Sequence, residues 1–277
     1  SEEFGSQIFF TFTTSSDEIS YFGFPVELHN KNNLELPFKI RIIEKFLKQN
    51  KTFSKNYIFS INLKEDEIDK NIFQKLNPKL VSEQQIINLE KSEDEILKRF
   101  KSNLRYEINK TSKNKDVQVI IIDKDNYTKN FILDMMQTHI SVSGRQTRSK
   151  DTWLINEKMI LQNQGFLSVV YYKSKAVSYS FFFHNNYSIY YFSSVTLREY
   201  FKISGISHLS LWKAICYAKK IKIKEFNLGL TDYLYIRNGI DISPKEKNIA
   251  FFKSRYCGEK KYKIIIDQES NLNTNKF

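Results

Sequence analysis

The chain has 277 residues, of which 41% are hydrophobic and 27% are charged, and its formal net charge at pH 7 is +12. These proportions are typical of a folded globular protein with room for two domains, and they argue against intrinsic disorder. No run approaches the roughly 18 apolar residues that a bilayer-spanning helix needs, and residues 1–6 do not resemble a secretory signal. We therefore expect a globular protein without a transmembrane segment.

The residue types of the chain also limit the possible cofactors and partners. Cys216 and Cys257 are the only cysteines, and the four histidines lack a metal-binding spacing. Such a pattern predicts neither a disulfide framework nor a zinc site, so we expect a reducing cytoplasm and no metal. The positive charge indicates a polyanionic partner, a nucleotide-type cofactor or an anionic surface, although abundant solvated lysine would give the same excess.

The first part of the chain predicts a mixed α/β arrangement. Residues 7–13 and 57–63 have the pattern of strands, and residues 38–49 between them repeat apolar side chains at helical spacing. Another short apolar run follows at residues 85–89. This order is typical of a sheet flanked by helices.

A helix is predicted next, over residues 93–112. Ser92 and Glu95 form a capping box, because the hydroxyl and the carboxylate can each accept a hydrogen bond from the other residue's free N–H group. Four apolar side chains share one stripe of this helix: Leu97, Phe100, Leu104 and Ile108. We expect the helix to bridge two domains, 1–112 and 113–277, with a cationic face that is either solvated or in contact with RNA or phosphate.

The second part of the chain is more regular. Short polar turns separate three successive strands, which predicts an antiparallel meander. The predicted strands are residues 117–122, 166–172, 176–184, 187–193, 225–229 and 261–266. The predicted helices are residues 127–141, 150–163, 208–220 and 244–256.

A small-residue turn opens the helix at 208–220. A strand that breaks at such a turn directs backbone N–H groups and the positive end of the helix dipole at one point, which favours an anion. Ordinary helix capping produces the same composition. The candidate cofactor-binding residues are Lys202, Ser204, Gly205, Ile206, Ser207 and His208.

The order of elements over residues 116–266 resembles the GNAT acyltransferase fold, and the turn around Gly205 is similar to the pyrophosphate loop of that superfamily. Three segments resemble the FemAB-like branch in particular: 97–110, 218–229 and 250–258. The resemblance implies an α/β (α+β) chain with two GNAT-like domains, each a mixed, mostly antiparallel sheet flanked by helices. It also implies acyl or aminoacyl transfer in cell-envelope synthesis, from acyl-CoA or aminoacyl-tRNA.

Acyl transfer to an amine needs a general base and a group that stabilises the oxyanion. The candidate bases are Asp232, placed just past the predicted strand end at Gly229, and His139, whose pKa suits proton transfer near neutrality. Lys253 matches the terminal box of the family, where its ammonium group would reach a phosphate or the oxyanion. A capping carboxylate and surface His and Lys residues are the alternatives.

An anionic acceptor, such as a nucleotide-linked amino sugar, would require cationic and aromatic side chains. Arg145 and Arg148 precede Trp153 and could clamp such a ligand, and Tyr256 of the terminal box completes the candidate substrate-binding set.

Three functions follow from these features. The leading hypothesis is a cytoplasmic N-acyltransferase that uses a thioester donor, with acyl-CoA favoured, and attacks directly an amine of a cell-envelope precursor. The second uses aminoacyl-tRNA as donor, which the basic helix favours. The third is a non-enzymatic RNA-binding protein.

Overall fold

A computed structural model describes residues 13–15, 18–20, 26–28, 34–49, 56–203 and 205–273. The chain forms two compact units. Unit 1 takes its described residues from 1–84, 230–252 and 260–277, and unit 2 consists of 85–229 and 253–259. Over the described residues, no helix is both long and apolar enough to cross a bilayer.

Unit 1 is a sheet with helices. Its strands follow the order β1-β2-β4-β11-β5, and β3 pairs with β4. The strands that lie in it wholly or in part are β1 (Thr13–Ser15), β2 (Glu18–Ser20), β3 (Val26–Leu28), β4 (Asn56–Leu63), β5 (Leu80–Asn88), β10 (Glu225–Ile236) and β11 (Glu259–Asp267). The helices are α1 (Leu36–Gln49), α2 (Lys70–Leu76) and most of α8 (Pro244–Ser254).

An apolar core and a buried ion pair stabilise unit 1. Ile40 and Ile43 of α1 pack with Phe59 of β4 in this core. The Arg237 guanidinium donates two hydrogen bonds of 2.8 Å to the Asp267 carboxylate. Burial raises the pKa of Asp267, but the hydrogen bonds and charge of Arg237 outweigh it and hold that pKa below its usual value.

Unit 2 has the sheet order β10-β9-β8-β7-β6. The strands β6 to β9 are antiparallel neighbours, whereas β9 and β10 are parallel. The strands wholly in this unit are β6 (Val117–Ile122), β7 (Gly165–Tyr172), β8 (Lys175–His184) and β9 (Ser188–Thr196). The helices are α3 (Glu93–Arg99), α4 (Ser102–Ser112), α5 (Asn130–Ser143), α6 (Lys150–Leu161) and α7 (Ile206–Lys220).

Alternating side chains of β7 explain how helices cover both faces of this sheet. Leu167 and Val169 pack with α5 and α6 in one core. Ser168, which points to the other face, donates a hydrogen bond of 3.2 Å to the carbonyl of Ser210 in α7. Because successive side chains of a strand point to opposite faces, α7 lies on the face away from α5 and α6.

Most elements lie where the sequence predicts them. The strand 117–122 is matched residue for residue by β6, and the antiparallel meander is formed by β7, β8 and β9. The capping box of Ser92 and Glu95 is confirmed, with both reciprocal hydrogen bonds present. The predicted strand 7–13 lies outside the described residues except for Thr13.

The prediction of one helix over 93–112 is wrong, because α3 ends at Arg99 and α4 begins at Ser102. Phe100 adopts an extended backbone, and its ring packs edge-on against Tyr256 at 4.9 Å and against Trp212 at 5.7 Å. The N–H of Lys101 donates to the carbonyl of Arg255. Tertiary contacts therefore outweigh the local preference for one helix.

The strand predicted to end at Gly229 also differs, since β10 continues to Ile236. Gly229 has φ of 77°, and its N–H donates to the Asn227 side chain. The glycine changes the backbone direction inside the strand and does not end it.

The predicted boundary at 112/113 does not coincide with a boundary between the compact units, because both sides of it lie in unit 2. The assignment of one GNAT-like domain to 1–112 and another to 113–277 stays a prediction.

The start of α7 packs closely against α4, and one glycine permits this approach. Gly205 has φ of 86°, and a Cβ at this position would lie 2.7 Å from the carbonyl oxygen of Glu107 and would overlap the hydroxyl of Thr111. Only glycine satisfies both the backbone angle and the space.

Replacement of Gly205 by alanine should lower the free energy of unfolding by about 2–5 kcal/mol, because the alanine would have to adopt a left-handed backbone and its Cβ would overlap α4. Gly144→Ala is a matched control, because Gly144 also has a positive φ but open space at its Cβ position. Gly144→Ala should lower the free energy of unfolding by only about 1–2 kcal/mol. Denaturant unfolding of both variants measures the difference, and equal losses would contradict the packing argument.

Candidate active site

An opening between two parallel strands of unit 2 gives the candidate site its position. The ladder between β9 and β10 joins Ser188–Tyr190 to Glu225–Asn227 and does not continue beyond them. Gly229, two residues past the last pair, has a positive φ. Tyr191, the next residue of β9, therefore has no ladder partner in β10, and we call the break in the ladder between Tyr191 and Gly229 the opening.

Lys253, predicted as a catalytic residue, lies at this opening. Its ammonium nitrogen lies 5.6 Å from the ring centre of Tyr191, and a Cβ on Gly229 would lie 3.0 Å from it. Within the part of the chain that the structure describes, Lys253 has neither a carboxylate partner nor a hydrogen-bond acceptor. Burial lowers the pKa of Lys253 to about 8.

Tyr191 and Ser194 are site residues that the sequence analysis missed. The Tyr191 hydroxyl donates a hydrogen bond of 2.6 Å to Ser194 Oγ, and Ser194 is exposed to solvent. The hydroxyl of Ser210 donates a hydrogen bond of 2.9 Å to Ser168 Oγ and lies 3.4 Å from Ser180 Oγ. Serines spaced along three strands are visible in the sequence, but their alignment in one row depends on strand register.

A buried hydrogen-bond network holds the segment that carries Lys253. Arg255 forms an ion pair of 3.1 Å with Glu107 of α4 and donates to His208 Nε2 at 3.0 Å. His208 Nδ1 lies 2.8 Å from the Tyr256 hydroxyl. Because a guanidinium only donates, Nε2 accepts, and the imidazole proton lies on Nδ1.

His208 is therefore neutral. Burial, and secondarily the charge of Arg255, lower the pKa of His208 to about 3. Glu107 lies 3.6 Å from His208 Nε2, but the ion pair of Glu107 is with Arg255. Both ring nitrogens of His208 have protein partners, and the ring carries no charge. The structure therefore gives no support to the predicted role of His208 in holding a phosphate.

The part of the predicted cofactor turn next to His208 is packed into the protein. Gly205 and Ile206 are buried, and Lys202 is exposed. Ser207 Oγ lies 3.3 Å from the Thr196 hydroxyl. Ser204 lies outside the described residues. The close approach of α4 explains Gly205 without a ligand, so the turn is a helix packing contact as well as a candidate anion site.

Three predicted residues converge on the other face of β9. Arg148 donates to Ser193 Oγ at 3.1 Å, and its guanidinium lies over the rings of Trp153 at 5.3 Å and Phe192 at 5.4 Å. His139 Nε2 lies 3.3 Å from the same hydroxyl, and its ring is 5.2 Å from Trp153.

This second cluster combines a half-buried cation with aromatic rings. Burial lowers the pKa of Arg148 below its usual value, and no carboxylate pairs with it among the described residues. Arg145 is exposed, and among the described residues its backbone, not its guanidinium, forms hydrogen bonds with Ser143. Tyr256 belongs instead to the Arg255 network and is fully buried, with 0% of its surface exposed.

The position of Asp232 differs from the prediction. It lies within β10, in unit 1, and not in a loop after a strand end. Its side chain is exposed and accepts the N–H of Tyr233. Its role as a general base stays a prediction. The described residues include no group of three or more His, Cys, Asp and Glu residues arranged to hold a metal ion.

Comparison with solved structures shows that the chain has a GNAT-type fold, which confirms the predicted fold class. It is similar to FemX (12% identity, 95% of this chain and 89% of that chain, TM-score 0.57) and to L-PGS from Bacillus licheniformis (13%, 98% and 87%, 0.57). A tandem GNAT protein of the clavulanic acid pathway is also similar (5%, 95% and 78%, 0.51). No family model and no curated protein matches the sequence.

Removal of the Glu107 carboxylate should destabilise the chain, because it leaves the Arg255 guanidinium buried without a counter-charge. We expect Glu107→Ala to lower the free energy of unfolding by about 2–4 kcal/mol. Glu259→Ala breaks the exposed pair with Arg99 and should cost only about 0–1 kcal/mol. Thermal and denaturant unfolding compare the two, and a loss for Glu107→Ala no larger than that of the control would contradict this role.

Proposed function

We propose that this chain is an acyltransferase that moves an acyl or aminoacyl group from an activated ester or thioester to an amine of an anionic acceptor. The observation that carries the proposal is Lys253, an ammonium group without a counter-charge among the described residues, at the opening between β9 and β10. A desolvated cation without a partner is unfavourable unless a ligand brings negative charge to it.

Direct attack requires that negative charge develop on the donor carbonyl. The amine lone pair forms the new C–N bond, the carbonyl oxygen becomes an oxyanion, and its collapse expels the thiolate or ribose alkoxide, which takes up a proton. Lys253 would stabilise the oxyanion, and the interaction is strong because water is largely excluded from the ammonium group. A general base would accept the proton that the amine loses. Asp232 stays the predicted candidate for this role, because His139 lies with Arg148 on the face of β9 away from Lys253.

Two observations favour aminoacyl-tRNA as the donor. Unit 2 contains 25 Lys and Arg against 14 Asp and Glu, whereas unit 1 contains 18 against 17, so nearly all of the net charge lies in the unit that carries Lys253. In addition, α4 packs against the Gly205 turn, which reduces the space for a coenzyme pyrophosphate beside it. A large polyanion fits this charge distribution.

Acyl-CoA is the second candidate donor. The Gly205 turn keeps the position and the left-handed glycine of an anion-binding helix start, and the similar tandem GNAT protein is described as a form without acetyl-CoA. A thermal-shift assay with coenzyme A, with tRNA, and with tRNA digested by RNase separates the two. Stabilisation by coenzyme A alone would overturn the tRNA assignment.

The cluster around Arg148 supports an anionic acceptor, whose charged part would bind on the face of β9 away from Lys253. The Arg148 guanidinium lies over two aromatic rings and lacks a carboxylate partner among the described residues, an arrangement that suits a phosphate next to a planar base. We therefore propose a cell-envelope precursor, such as a nucleotide-linked amino sugar, as the acceptor. Cytoplasmic localisation would agree with such a substrate.

Replacement of Lys253 should abolish most of the transfer activity. We expect Lys253→Met to lower kcat/KM by about 100- to 1000-fold, the usual effect of removing one oxyanion donor. Lys213→Gln, at an exposed position of α7, is the control and should leave the rate unchanged. Transfer of a radiolabelled acyl or aminoacyl group to an amine acceptor measures the effect.

The pH dependence is a separate prediction. Because burial lowers the pKa of Lys253 to about 8, the ammonium form is lost as the pH rises through that value. The rate should therefore fall above about pH 8, and this limb should be missing from the residual activity of Lys253→Met. The free energy of unfolding should also rise between about pH 8 and the pKa of Lys253 in the unfolded chain. In this range the buried Lys253 has lost its proton, whereas the unfolded chain still binds it. A fall in rate that is identical in the variant would assign the limb to another group.

A further inference from the structure

The outward side of α4 has an unusual composition. Six side chains form it, and we call it the α4 outer face: Ser102, Asn103, Tyr106, Asn109, Lys110 and Lys113. All six are exposed, and they lie opposite the buried Leu104, Ile108 and Thr111. The face therefore combines lysines, amides and one aromatic ring, and it contains no acidic residue.

The charges of this face have no counter-charge in the part of the protein that the structure describes. Lys110 and Lys113 form no ion pair with any described residue, and the one carboxylate of α4, Glu107, pairs with Arg255 on another side of the helix. Tyr106 is 65% exposed, and the ammonium nitrogen of Lys110 lies 5.9 Å from its ring centre. A large exposed ring beside such cations fits a ligand with both negative charge and flat aromatic groups.

We propose that the α4 outer face binds single-stranded RNA. Lys110 and Lys113 would contact successive phosphates, Tyr106 would stack on a base, and the two asparagine amides would hydrogen-bond to base edges or ribose hydroxyls. An anionic lipid surface fits less well, because a membrane-bound helix needs an apolar outer face. The apolar stripe of α4 is already buried in unit 2.

The inference rests on the proposed function in one respect only: if the donor is a tRNA, this face would hold part of it. Binding of RNA can be measured without any transfer reaction. A variant that loses RNA binding but keeps acyl transfer can therefore be distinguished from a variant that loses acyl transfer but keeps RNA binding.

The test uses the full chain and a fluorescein-labelled single-stranded RNA of about 12 nucleotides, with anisotropy measured from about 50 to 300 mM NaCl, the range over which phosphate contacts weaken. Tyr106→Ala should weaken binding roughly 5- to 100-fold, and Tyr106→Phe should retain it, because stacking needs the ring alone. Lys110→Gln with Lys113→Gln should lower the slope of log K against log salt by about 1.4.

Lys70→Gln with Lys75→Gln is the matched control, because it removes the same charge from exposed positions of α2 in unit 1 and should leave the slope unchanged. Circular dichroism establishes that each variant is folded. The inference is overturned if the chain does not bind RNA, or if both double variants reduce the slope equally. It is also overturned if phosphatidylglycerol vesicles, and not RNA, bind in a manner that depends on Tyr106. Wild-type RNA binding with acyl transfer from acetyl-CoA alone would reject the tRNA donor but retain this face.

Discussion

One guanidinium group, that of Arg255, organises the candidate site. It pairs with Glu107 of α4, donates to His208 of α7, and belongs to the short segment that follows α8. The carbonyl of the same residue accepts the N–H of Lys101, where the backbone changes from α3 to α4. Three elements that are distant in sequence therefore meet at one residue. The position of Lys253, two residues earlier, depends on this arrangement.

Lys253 at the end of α8 and Arg255 just after it are both desolvated cations, but they differ in their partners. The two terminal nitrogens of Arg255 have a carboxylate and a neutral imidazole as partners, so the charge of Arg255 is paired and it stabilises the fold. Among the described residues Lys253 has only the ring of Tyr191, so its ammonium group is held at a free-energy cost. A residue that the fold does not use for its own stability is available for a ligand that carries negative charge. This difference separates the structural cation from the candidate functional one.

The sequence predicted much of unit 2 because local rules decide it. The polar turns after Tyr172 and His184 determine the hairpins, and the Ser92 capping box determines a helix start. The Phe100 break and the continuation of β10 past Gly229 could not be predicted, since both depend on contacts with distant residues or on a backbone angle that the sequence only permits. For the same reason Lys253 was predicted from a motif, whereas Tyr191 and Ser194 were not.

The interleaved course of the chain has a consequence for how it can be divided. Unit 2 consists of two separate stretches of the chain, Gln85–Gly229 and Lys253–Glu259. A cut after Ser112 would leave α4 on one fragment and its packing partner α7 on the other, with Glu107 and Arg255 also separated. Neither fragment could then form the network that positions the lysine. We therefore expect that neither fragment folds into a stable structure alone.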